Sequence, residues 1–201
     1  MNFNRPNYRA WLISEQDFPK EGTFNEQAEF LLRYAILAPS AHNTQPWLFR
    51  VLDSEVDVFI NKQRMLMDSD PELRQTYESI GACVENLLIA ANYFGFDTKV
   101  EYFLESPEED KYKKLVAHIV LRQNGTLEQE KTGLFEAIPK RHSAKLAYTK
   151  EKVPESSLVE LKKLNTFSDL ELNFFSDEYS LKKATEAVAL GTKIAFANKK
   201  F

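Results

Sequence analysis

Apolar side chains first recur at helical spacing over residues 25–38, where Ala28, Leu31, Leu32 and Ala35 share one face and Asn25 stands as a suitable N-cap. Pro39 closes this helix, because a proline disfavours helical geometry at the residue before it. The period then falls to two. Residues 47–52 and 56–60 read as a hairpin turning at Asp53 and Ser54, with Val56, Val58 and Ile60 alternating against Asp57 and Phe59. A longer helix is predicted over residues 71–94, with Asp70 as N-cap, Pro71 at the first position and Gly95 placed to end it. Its stripe of Ile80, Val84, Leu87, Leu88 and Ala91 should be largely buried. Strands follow at 99–104 and 114–122, and the second is apolar enough to lie in the sheet interior.

After Gln123, Asn124 and Gly125 the order of elements partly repeats. A short helix to about residue 138, a helix at 154–164, a strand at 170–175 and a last helix from Asp177 are expected. Three stretches result: a polar N-terminal arm (1–24), expected to be peripheral although its Pro6, Trp11 and Phe18 could wrap over a neighbouring surface, a first unit (25–124) and the start of a second (125–201). Leu181, Ala184, Val188 and Ala195 form one stripe of the last helix, and Leu190, Ile194 and Phe196 widen it. So broad an apolar surface should pack against a partner: the other unit, further chain or another subunit. No stop signal precedes Lys199, Lys200 and Phe201, so the chain is expected to be cut short; alternatively, the two lysines end the helix through its macrodipole.

Composition narrows the class. With 43% apolar residues and fifteen phenylalanines in 201, the chain can bury a core. A net charge of −4 leaves no basic excess to neutralise phosphates, which argues against nucleic acid as a partner. Six scattered glycines rule out a GxGxxG turn and a GxxxxGK[ST] phosphate loop. Cys83 is alone, so there is neither a disulfide framework nor a thiolate zinc cluster; it is expected to be a buried packing residue. His42, His118 and His142 are too scattered for an HxxxH pair, although a metal site assembled by folding stays open; no metal ligand is nominated. No run has signal-peptide length, and the apolar stretch 87–96, broken by Asn92 and Gly95, is too short to span a bilayer. A cytoplasmic globular protein without membrane contact is expected.

Two segments carry candidate chemistry. In the first, Ala38-Pro39-Ser40-Ala41-His42-Asn43-Thr44-Gln45-Pro46-Trp47, two prolines frame a loop between helix and strand. Ser40, Asn43 and Gln45 present groups that both donate and accept hydrogen bonds, which suits a flat heterocycle with alternating carbonyls and ring nitrogens. A capped connection satisfying its own backbone would have the same composition. In the second, Lys140-Arg141-His142-Ser143-Ala144-Lys145, alternate residues Arg141, Ser143 and Lys145 would share one side of an extended segment. A guanidinium, a hydroxyl and an ammonium together could clamp a phosphate, or simply form a solvated basic loop.

The first segment, PSAHNTQPWLF, resembles the PSxxNxQPWxF loop of the FMN-dependent nitroreductase family, and KRHSAKLAYTKEKV resembles that family's phosphate-binding start. The order, loop first and basic motif about a hundred residues later, is similar to the fused, two-unit nitroreductase-like proteins of the Acg type, as is the stretch from Arg64 to Gly81. The resemblance implies an α+β fold with an antiparallel-rich central sheet flanked by helices, and an internal pseudo-dimer incomplete at the C-terminus. It implies FMN as cofactor, with Arg141, His142, Ser143 and Lys145 at the phosphate and Pro39, Ser40, Asn43 and Gln45 near the ring. It further implies hydride transfer from NAD(P)H through the flavin to a nitroaromatic or quinone, in a homodimer or pseudo-dimer. No catalytic acid, base or nucleophile is required, and none is nominated, because the cofactor carries the redox chemistry. The alternative is a non-catalytic, flavin-sequestering protein on the same fold.

Overall fold

The computed structural model describes residues 6–103, 110–124, 133–144, 147–149, 151–166, 168 and 170–197. The chain divides into two compact units, Met1–Ser143 and Ala144–Phe201. None of the described helices is long and apolar enough to cross a membrane.

In the first unit, helix α1 (Phe24–Ala35) begins at Thr23 rather than at Asn25. Thr23 Oγ1 accepts from the Glu26 amide while the Glu26 carboxylate accepts from the Thr23 amide at 2.7 Å, a reciprocal pair that satisfies two otherwise orphaned donors. Strands β1 (Trp47–Leu52) and β2 (Glu55–Asn61) form the expected hairpin, with Asp53 in the left-handed conformation that aspartate tolerates. Helix α2 (Arg74–Tyr93) starts three residues after Pro71, so neither Asp70 nor Pro71 holds the position expected of it. Residues 70–73 form a turn, with Leu73 at φ 58°, and the Asp70 carboxylate caps the helix from beyond that turn. It accepts from the amides of Gln75 (3.1 Å) and Thr76 (2.8 Å) and from Thr76 Oγ1 (2.8 Å). Gly95, at φ 79°, ends α2 as expected.

Strands β3 (Phe96–Tyr102) and β4 (Lys113–Gln123) complete an entirely antiparallel sheet of order β1-β2-β4-β3. The architecture is α+β. Val56, Val58 and Ile60 of β2 join Ala117, Ile119 and Leu121 of β4 in a core shared with α1 and α2. On α2, Ile80, Cys83, Val84, Leu87, Ala90 and Ala91 are buried, and burial pushes the Cys83 thiol well above its usual range. On the far face of the sheet, both carboxylate oxygens of buried Asp57 are paired. Arg50 holds one through Nε (2.9 Å) and Nη2, and His118 Nδ1 lies 2.7 Å from the other. His118 is therefore bonded across the strands, from β4 to β2.

Helix α3 (Gly133–Lys140) packs in this unit through Phe135 and Ile138. Phe135 stacks on Tyr93 at 3.7 Å between ring centroids and meets Phe94 edge-on at 5.6 Å. Phe94 also stacks on Phe18 (4.3 Å), which is 5% exposed, and Trp11 packs against the same core. The stretch from Trp11 to Phe18 is thus not peripheral: its apolar side chains wrap over the first unit and complete an aromatic cluster that α1 and α2 leave open.

In the second unit, helix α4 (Glu155–Leu164) follows Pro154 and helix α5 (Glu178–Ala197) follows Asp177. The expected strand at 170–175 is absent: residues 170–175 are irregular, with Leu170, Leu172 and Phe175 exposed. Alternation alone does not make a strand, which needs a neighbour to take up its backbone hydrogen bonds. No residue of α4 or α5 is buried, and Leu181, Val188, Leu190, Ile194 and Phe196 are between 50% and 78% exposed. Lys199, Lys200 and Phe201 lie outside the described residues.

Candidate flavin loop

Between α1 and β1 the chain bends through Pro39 to Pro46. His42 (φ 49°), Asn43 (φ 55°) and Gln45 (φ 49°) are all left-handed, although none is glycine. Such a conformation costs roughly 1–2 kcal/mol for an ordinary residue, less for asparagine, so three in four positions persist only where the surroundings impose them. Five hydrogen bonds do so. Ser40 Oγ accepts from the Gln45 amide at 3.0 Å and closes the loop on itself. Ser79 of α2, 4% exposed, accepts from the Ala41 amide at 3.2 Å. Arg64 Nη1 donates to the carbonyls of Thr44 and Gln45, each at 3.4 Å. Pro46 O receives the Asn61 amide at 2.8 Å, which joins the end of the loop to β2.

The side chains of Asn43 and Gln45 make no hydrogen bond among the described residues; Asn43 is exposed and Gln45 half-buried. Pro39, Ser40 and Ala41 face Gln75, Glu78 and Ser79 across a cleft of about 190 Å³.

The basic segment begins where α3 ends. Arg141 Nη2 donates to Leu37 O at 3.1 Å, so this side chain lies at the root of the loop although 104 residues separate the two. The aromatic packing of Phe135 sets that position by holding α3 against α2. Arg141 Nε is buried and has no partner among the described residues. His142 and Ser143 are exposed, and Lys145 lies outside the described residues.

Ser79 and Arg64 were not among the candidate residues: both lie in the stretch from Arg64 to Gly81 that carries part of the resemblance, but no residue type or spacing within it singles them out. Ser79 sits on a helix face that reads as core, and its role follows only from tertiary contact.

FMN can be tested against this donor set. Two uncommitted amides beside a hydroxyl match the alternating edge of a flavin ring, and a buried, unpartnered guanidinium nitrogen suits an anion or carbonyl acceptor. The residues fit an edge of the cofactor. At about 190 Å³, however, the cleft falls below the roughly 300–1,000 Å³ of typical ligand sites, so it cannot enclose the whole molecule.

No family model matches the chain. A Mycobacterium tuberculosis protein named "Putative NAD(P)H nitroreductase Rv3131" is 28% identical over 129 residues, covering 64% of this chain and 36% of that relative. The chain thus matches little more than a third of that relative's length. A second from the same organism, "Putative NAD(P)H nitroreductase acg", is 33% identical over 72 residues, 36% of this chain and 22% of the relative. A crystal structure described as "a putative nitroreductase in complex with fmn", from Desulfovibrio desulfuricans, is 18% identical with a TM-score of 0.43. It covers 66% of this chain and 94% of that one, an overlap too loose to bear on the site. Through the stretch that carries Pro39, Ser40, Asn43, Gln45, Pro46 and Trp47, and on an α+β architecture, the chain is similar to these two mycobacterial proteins named as nitroreductases.

Proposed function

We propose that this chain forms part of an FMN-dependent oxidoreductase that passes hydride from NAD(P)H through the flavin to a nitroaromatic or quinone-type acceptor. The observation that carries the reading is the strained, externally braced loop from Pro39 to Pro46, with the Asn43 and Gln45 amides uncommitted. When bound, FMN supplies the redox chemistry. Pro39, Ser40, Asn43 and Gln45 orient its ring edge. Arg141, His142, Ser143 and Lys145 belong to the phosphate side, with Arg141 Nε as the nitrogen still seeking an acceptor. The alternative is a non-catalytic protein on the same fold that holds flavin without turning over a second substrate.

Anaerobic titration tests both. FMN added to the purified chain should give a protein-bound flavin spectrum. NADH or NADPH should bleach it, and a nitroaromatic or quinone should restore it. A bound flavin that neither nucleotide bleaches would favour the sequestering protein, and a chain that leaves FMN free would defeat both readings.

A further inference from the structure

The left-handed run at His42, Asn43 and Gln45 needs bracing, and the brace deepest in the molecule comes from α2. Ser79 is buried, and its hydroxyl donates to Gln75 O at 2.6 Å, the carbonyl one turn back on the same helix. That bond commits the only proton on Ser79 Oγ. The oxygen can therefore only accept on its other side, where the Ala41 amide arrives at 3.2 Å. Ala41 opens the short helical turn Ala41–Asn43, in which the Asn43 amide bonds Ser40 O and the Thr44 amide bonds Ala41 O. Fixing the Ala41 amide thus fixes the turn from which Asn43 projects. Arg64 holds the far end only through two 3.4 Å contacts from an exposed side chain, so it is the weaker tether.

We infer that Ser79 is a positioning residue of the candidate flavin loop, clamping the Ala41 amide to α2 so that Asn43 and Gln45 are presented in a fixed geometry. This rests on the flavin reading above. Ser79 is assigned no contact with the flavin. It acts through the backbone of the loop and should influence recognition of the ring rather than of the phosphate.

The test compares Ser79→Ala and Ser79→Thr in the full chain. Threonine keeps a hydroxyl that can bond the carbonyl one turn back, and so can retain the tether. Backbone amide exchange reports the tether directly, and quenching of flavin fluorescence gives the affinities for FMN and riboflavin. In Ser79→Ala, the amides of Ala41, Asn43 and Thr44 should exchange faster while those of Cys83 to Leu87 do not change. FMN and riboflavin should both weaken by the same factor, roughly two- to tenfold for one neutral hydrogen bond, and Ser79→Thr should restore both. Unchanged exchange at Ala41 would overturn the inference. So would a loss confined to FMN, or acceleration spread equally along α2, which would make Ser79 a general packing residue. If the unaltered chain binds no flavin, the flavin reading fails, and exchange at Ala41 alone upholds or overturns the tether.

Discussion

Helices α2 and α5 are each twenty residues long, and both carry enough apolar side chains to demand burial. Eight residues of α2 are buried and none of α5 is. The difference lies in what each helix is offered. Helix α2 faces a four-stranded antiparallel sheet and the flank of α1, so its apolar stripe closes a core. Among the described residues of its own unit, α5 is accompanied by α4 and irregular segments, and neither presents a buried face. An apolar stripe states a demand for burial, and only a second surface meets it. The candidate loop makes the same point at smaller scale, because its strained backbone is held by Ser79 and Arg64 from outside the loop.

The largest expected effect tests this contrast directly. Phe94 lies within 6.1 Å, centroid to centroid, of Phe18, Phe30, Tyr34, Tyr93 and Phe135, and it is 6% exposed. Phe94→Ala should destabilise the chain by about 3–5 kcal/mol in denaturant unfolding. Val188→Ala, at a position 69% exposed, should change stability by less than about 0.5 kcal/mol in dilute solution. A larger cost for Val188→Ala that grows with protein concentration would break the contrast, because it would show a second copy covering α5.

A smaller effect sharpens the comparison at the helix starts. Helix α1 has its reciprocal Thr23–Glu26 cap, whereas α4 begins after Pro154 with no side-chain cap at all. Thr23→Ala should cost about 1 kcal/mol. A value near zero in thermal unfolding would mean that packing of Phe18 and Phe30 alone holds the start of α1.

These contrasts also mark how far the sequence could be read. The hairpin was legible because alternation at 47–52 and 56–60 coincides with real partners, Val51 opposite Val56 and Trp47 opposite Ile60. Alternation at 170–175 looks similar and found no partner, so it formed no strand. The α1 cap was legible in principle, since Thr23 stands three residues before Glu26, but Asn25 two residues later is an equally suitable capping residue by type. The Asp70 cap was not: it reaches over a turn whose left-handed residue is Leu73, a position no propensity favours. The loop residues Ser40, Asn43 and Gln45 stood out through residue type and spacing. Their braces did not, because Ser79 lies 38 residues from Ala41 in sequence and becomes its neighbour only after folding.

The finest probe of burial in the first unit is alkaline pH, acting on a tyrosine of its aromatic cluster. Tyr34 is 2% exposed. Burial, reinforced by the charge of Glu15 and by neighbouring Tyr93, pushes its pKa up to about 12 from the usual value near 10. The raised pKa means that folding favours the neutral phenol. That contribution to stability is complete below pH 10, where the unfolded chain also keeps its proton. It is lost as pH rises through 10 to 12, because the unfolded chain can ionise there while the folded one resists. Unfolding followed from pH 9 to 12 should show a declining limb, and Tyr34→Phe should flatten it. If Tyr34→Phe left the limb intact, the alkaline loss would have to come from groups outside the aromatic cluster, and Tyr34 would not be held neutral by it.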